Sequence, residues 1–131
     1  MAQGILYKQA KLANEWDAIV IGSGIGGLTA AVLMGRHAGK RLLVLERHYE
    51  AGRFAHTNYG SGEIYGIVAT PARYAMRGLG ARTPVRGLYL TGQDVASLGV
   101  VGALFGGVIC ASAALGKNLM PAVTKARGVR S

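Results

Sequence analysis

Gly22-Ser23-Gly24-Ile25-Gly26-Gly27 is the stretch whose residue types and spacing most directly imply chemistry. It reads Gly-x-Gly-x-x-Gly, with Gly22, Gly24 and Gly27 at the motif positions. In a loop that opens a helix, the first glycine permits a tight turn and the second lets a pyrophosphate approach the backbone. The third lets helix and strand lie close together. The helix start adds unpaired N–H groups and the positive end of the helix dipole, so a diphosphate can be held without a cationic side chain. Glu46 stands 19 positions beyond Gly27, where a carboxylate can accept hydrogen bonds from both ribose hydroxyls of an adenosine. That carboxylate repels a 2′-phosphate and favours FAD or NAD over NADP, although Arg47 beside it weakens the discrimination.

The motif alone is a weak signal; its flanks give it weight. Ala18-Ile19-Val20-Ile21 is apolar, rich in β-branched residues and broken at Gly22, as a buried parallel strand would be. Leu28 to Met34 continues as a helix, and Arg41 to Leu45 reads as a second strand ending at Glu46. Strand, turn, helix and strand make a βαβ unit. Further on, Gly87 to Thr91 reads as another strand ending in a turn, followed by a Gly-rich helix from about Leu98 to Leu115. Open α/β sheets bind ligands at such strand ends. The expected fold is therefore α/β, a minimal Rossmann-like three-layer module with a short parallel sheet of about three strands and two main helices. With 131 residues the chain suits one domain. It spans 1–120, with an N-terminal βαβ half at 17–57 and a C-terminal half at 58–120, and 121–131 follows as a flexible basic tail.

Composition sets the partners and the compartment. Lys and Arg outnumber Asp and Glu 15 to 6, for a net charge of +9, which favours anionic partners. Half of the residues are hydrophobic, enough to exclude wholesale disorder. Cys110 is the single cysteine, so there is no internal disulfide. No Cys/His set has metal-ligand spacing, and no metal site is expected. The first 17 residues lack the apolar run of a secretory signal, which points to a cytoplasmic protein. His37, His48 and His56 are scattered and form no triad, so no catalytic acid or base is assigned.

The stretch DAIVIGSGIGGLTAAVLMGRHAGKRLLVLERHYEAGRFAHT, Asp17 to Thr57, resembles the N-terminal FAD-binding segment of the phytoene desaturase, carotenoid isomerase and retinol saturase family. Gly62-Glu63-Ile64-Tyr65-Gly66, Thr70-Pro71-Ala72-Arg73 and Arg82 to Asp94, RTPVRGLYLTGQD, are similar to that family's extreme C-terminal segment. The resemblance implies FAD as cofactor, with NAD the alternative. It places the Gly22 to Gly27 backbone, Ile25 included, with Arg47 and Gly52, near the adenosine and diphosphate. Gly92 and Asp94 fall at the ribitol, and the N–H groups from Val95 to Gly99, with Val100 following, at the flavin ring. Family members are several times longer, and their middle region, which carries the substrate domain, is absent between Thr57 and Asn58. The implied function is an FAD-binding module resembling a minimised flavin-dependent oxidoreductase of the carotenoid and retinoid type. The alternative is a noncatalytic nucleotide-binding or structural subunit, part of a split enzyme or a membrane complex.

Two rival readings accompany these expectations. Ala18 to Gly35 and Leu98 to Gly116 carry no charge over roughly the length of a transmembrane helix, although glycines interrupt the first. Tyr59, Tyr65, Tyr74 and Tyr89 with Arg73, Arg77, Arg82 and Arg86 give a basic, aromatic middle, but no nucleic-acid motif accompanies them and no specific nucleic acid is expected. A parallel sheet this thin leaves apolar surface bare. A homo-oligomer or a partner subunit is expected to cover it, with peripheral membrane contact a further reading.

Overall fold

The computed structural model describes residues 9–46 and 70–125. The expected βαβ unit is present. Strand β1 (Ala18–Ile21) leads through the glycine loop into helix α1 (Ile25–Ala38), which returns to strand β2 (Leu42–Leu45). The strands are parallel, with Ala18 opposite Leu42 and Ile21 opposite Leu45. Helices α2 (Pro71–Ala75), α3 (Gly99–Leu115) and α4 (Met120–Lys125) follow, with one turn of 3-10 helix at Arg77–Leu79. Thus α4 occupies the start of the stretch read as a basic tail. The uncharged run from Ala18 to Gly35 is strand, loop and helix, and no helix among the described residues is long and apolar enough to cross a membrane.

Small residues let α1 and α3 pack in close contact. A Cβ on Gly107 of α3 would lie 2.6 Å from Thr29 Cβ and against the carbonyl of Gly26, both on α1. A Cβ on Gly26 would lie 2.7 Å from the Cα of Gly92, and one on Gly106 would strike the Gly92 carbonyl. Helix backbones can approach this closely only where side chains are missing. Around the contact lie Ala30, Ala31, Leu33 and Met34 of α1 with Val108, Cys110 and Ala111 of α3, all buried. Leu119 closes the far end. Val20 of β1 joins this core, whereas Ile19 and Ile21, on the opposite face of the strand, remain 57% and 85% exposed. The described residues therefore cover one face of the sheet.

Among the described residues the sheet has two strands. Gly87–Thr91, the expected third, instead makes an isolated antiparallel bridge between Tyr89 and Arg82. The Leu90 N–H donates to the Ala81 carbonyl at 2.9 Å. A local turn produces this outcome. The Thr83 hydroxyl lies 2.9 Å from the Leu88 carbonyl and accepts from the Val85 N–H, folding the chain back through Pro84 to Gly87. Pairing across so few residues closes a short loop, at lower entropic cost than reaching β1. A cavity of about 430 Å³ separates this segment from β1, lined by Val20, Met34, Tyr89 and Cys110 among others. Burial pushes the Cys110 thiol above its ordinary range.

Asp17 clips the two strands together at their starts. Its Oδ2 accepts from the Arg41 N–H at 2.8 Å, and its Oδ1 lies 3.4 Å from Lys40 Nζ. The Arg41 N–H, and less strongly the Lys40 charge, hold the Asp17 carboxyl below its usual 3.8. Because the folded-state value is depressed, the contribution is present above pH 3.8 and is lost as pH falls through the folded value. Asp17→Asn should accordingly flatten the acid limb of a stability-versus-pH curve below about pH 5, read by circular dichroism. Gly106→Ala should destabilise the fold by about 3 kcal/mol in urea titration, because backbone must move to admit the methyl group. Gly80→Ala, where a Cβ meets nothing within 4 Å, should stay within about 0.5 kcal/mol of the wild type.

Candidate functional site

The glycine loop links the end of β1 to the start of α1. Gly22 has φ +95°, which favours glycine, and its N–H donates to the Leu45 carbonyl at 2.7 Å. This bond ties the loop to the end of β2. A Cβ on Gly27 would strike the Gly22 carbonyl and lie 3.2 Å from Val20 Cγ1, so this glycine sets the close packing of helix on strand. Gly24 precedes α1 as its cap and offers no side chain, and the first turn holds no acidic residue. Among the described residues no side chain therefore caps the α1 N-terminus, which suits an anion. A Cβ on Gly24 would meet no described residue within 4 Å, so among these residues the loop is open on that side.

Glu46 stands just beyond β2 and is drawn to the loop. Its Oε2 accepts from both the N–H and the hydroxyl of Ser23, at 2.8 and 2.6 Å. Ser23 is 2% exposed, and this carboxylate satisfies its hydroxyl. The carboxylate expected to meet a ribose is thus anchored to the loop expected to face a diphosphate.

The second cluster gathers around Gly92. The Gly26–Gly92 contact presses the turn after Thr91 onto the glycine loop, so the two halves of the chain meet where the sequence motifs lie. Gln93 Oε1 accepts from the Gly99 N–H at 3.1 Å and thereby holds the start of α3. Asp94 Oδ1 accepts from Arg73 Nη2 at 3.0 Å, and the same nitrogen lies 3.3 Å from the Gln93 carbonyl. Arg73 is 3% exposed. Helix α2 delivers it: Thr70 caps that helix, its hydroxyl accepting from the Arg73 N–H at 3.2 Å. Instead of joining a solvated basic face, this arginine is a buried cation that positions the Gly92–Asp94 turn.

Of the residues expected at the site, Gly22, Gly24, Ile25, Gly26, Gly27 and Glu46 lie together on the loop or against it. Gly92 touches the loop through Gly26, and Asp94 follows on the same turn. Gly99 starts α3, and Val100, the next residue, is 54% exposed. Arg47 and Gly52 lie outside the described residues. Ser23, Arg73 and Gln93 were not singled out from sequence as site residues. Ser23 occupies a variable slot of the motif. Arg73 carries no sign of burial in its neighbours, yet the Thr-Pro-x-Arg pattern is a capped helix start. The open, uncapped helix start, the anchored carboxylate and the second turn against the loop suit a dinucleotide.

Truncating Asp94 would leave the Arg73 guanidinium buried with only its remaining partners. Asp94→Ala should cost about 2 kcal/mol in urea denaturation, and Asp94→Asn less, since the amide oxygen can still accept. The figure is set low for a buried pair because the Asp94 side chain is 41% exposed.

The profile of the NAD(P)-binding Rossmann-like domain matches residues 20–88, more than half of the chain. Among curated proteins, the chain is similar to all-trans-retinol 13,14-reductases. With the Homo sapiens protein it shares 52% identity over 56 residues, 40% of this chain and 9% of that one. The Rattus norvegicus protein is 49% identical over 51 residues, 39% and 8% of the two chains. In Danio rerio one relative is 47% identical over 57 residues, 44% and 9% of the chains. A second, 49% identical over 51 residues, is named an inactive all-trans-retinol 13,14-reductase. The matches thus span 8 or 9% of the length of these relatives. No solved structure gave a significant match.

Proposed function

As the chain belongs to the NAD(P)-binding Rossmann-like domain family, we propose that it is the dinucleotide-holding module of a flavin-dependent oxidoreductase and that its ligand is FAD. The observation that carries this reading is the Gly26–Gly92 contact, which sets the Asp94 turn beside the glycine loop. Two anchoring points at that separation suit a ligand with a diphosphate at its middle and a polyol beyond it. In this reading the α1 N-terminus holds the diphosphate through backbone N–H groups. Glu46 accepts from the adenosine ribose, Asp94 from the ribitol hydroxyls, and the N–H groups at the start of α3, around Gly99 and Val100, face the ring. Arg47 and Gly52 complete the set. NAD shares the adenosine half and is the alternative ligand.

Bound FAD would supply hydride or electron transfer, while the chain binds and orients it. Similarity to the retinol reductases supports a carotenoid or retinoid substrate for the complete enzyme, with the substrate domain supplied by other sequence. A second reading draws on the relative named inactive: a noncatalytic dinucleotide-binding or structural subunit of a larger assembly. Either reading gives a use to the bare apolar surface. Ile19 and Ile21 on the sheet, and Val100 and Val101 on α3, are more than half exposed, suited to a second copy or a partner subunit. Peripheral membrane contact would exploit the same surface together with the net charge of +9.

Protein purified without added cofactor should be yellow or take up FAD, and on denaturation should release about one FAD per chain by chromatography. A colourless protein that takes up neither FAD nor NAD would overturn the proposal. Gly24→Ala should leave the thermal midpoint unchanged, since its methyl group meets open space. It should weaken FAD binding at least about tenfold by blocking the approach to the loop.

A further inference from the structure

The anchoring of Glu46 has a specific cause, and that cause bears on ligand selection. Ser23 directs two donors, its N–H and its hydroxyl, at one carboxylate oxygen, at 2.8 and 2.6 Å. The shorter distance is typical of a charge-assisted O–H···O⁻ bond. An unanchored glutamate at the end of a strand samples several rotamers and can swing away from an approaching anion. With Oε2 held by two hydrogen bonds, the carboxylate loses that escape.

We propose that Ser23 is a specificity-determining positioning residue: by pinning Glu46 it presents a fixed negative charge at the ribose 2′-hydroxyl and excludes 2′-phosphorylated nucleotides. This rests on the dinucleotide reading above. A pinned carboxylate gains twice. It accepts from the ribose without further loss of side-chain entropy, and it keeps its charge where a 2′-phosphate would have to sit. The Ser23 N–H is committed to Glu46, so the diphosphate is left to the N–H groups from Gly24 onward. The hydroxyl is the part a substitution can remove, because the N–H remains in any variant.

The test is calorimetric titration of the full chain with ADP and with 2′-phospho-ADP, for the wild type, Ser23→Ala, Ser23→Thr and Glu46→Ala. In the wild type ADP should bind at least about a hundredfold tighter than the 2′-phosphorylated form. Ser23→Ala should weaken ADP about tenfold while leaving 2′-phospho-ADP nearly unchanged, so the ratio falls about tenfold. Ser23→Thr, which retains the hydroxyl, should keep the wild-type affinity for ADP and the wild-type ratio. In a Glu46→Ala background, Ser23→Ala should have no further effect on either ligand, since the two residues act through one carboxylate. A merely structural role would weaken both ligands in parallel and leave the ratio intact, and that result overturns the inference. So does a Ser23→Ala protein that matches the wild type on both ligands. Wild-type protein that binds neither ADP nor FAD would overturn the dinucleotide reading itself, an outcome distinguishable from the other two.

Discussion

The close approach of α1 and α3 is the constraint on which the remaining structure depends. Two short parallel strands supply little ladder hydrogen bonding, and a parallel pair needs a helical layer to bury its apolar face. Here that layer is stabilised by backbone meeting backbone. Gly26 and Gly107 leave no Cβ at the crossing, Gly106 leaves room for the Gly92 turn, and alanines fill the flanks. Individual dispersion contacts are weak, but they accumulate where surfaces fit without gaps. Such an interface tolerates deletion of volume poorly and addition of volume worse.

That same contact assembles the candidate site. Gly26 is both a member of the glycine loop and the surface on which Gly92 rests, so packing and ligand geometry are set by one residue. Each half of the site is then fixed by a buried polar group. Ser23 holds Glu46 on one side; Arg73 and Gln93 hold Asp94 and the start of α3 on the other. Buried polar groups of this kind stabilise only when their partners are in place. Their arrangement rigidifies the carboxylates without filling the loop, whose Gly24 face no described residue covers. The preorganised pieces are backbone dipoles and two carboxylates, the elements needed to orient a neutral polyol and a diphosphate.

Much of this was legible in the sequence, because local physics dictates it. The apolar run at Ala18–Ile21 becomes β1 with those bounds, and the helix expected from about Leu98 to Leu115 becomes α3 at Gly99–Leu115. Gly22 makes the turn and Gly27 the close helix–strand packing that their spacing suggests. What escaped was decided by competition between distant and local partners. Gly87–Thr91 has the composition of a sheet strand, yet Thr83 and Pro84 offer it a nearer partner, and it pairs with Arg82. Arg73 shows the same limit for charge. A lone arginine among other arginines reads as solvated, and only the position of Asp94, 21 residues away, brings it inside.

The strong positive charge of the chain invites the idea that cations hold an anionic ligand, and the two described cations with ion-pair partners, Arg73 and Lys40, are committed elsewhere. Arg73 is committed to Asp94 and Gln93, and Lys40 sits at the opposite end of the strands beside Asp17. Among the described residues no side chain caps the α1 N-terminus and its first turn holds no acid, so what it offers an anion there is oriented N–H groups. Such an attraction is short-ranged and demands a fitted backbone, which makes it selective for shape; scattered surface lysines and arginines instead act at long range and are screened by salt. The two effects divide the work by distance. In the proposed reading, net charge raises the rate at which a nucleotide arrives, and the glycine loop with its two anchored carboxylates selects which one stays.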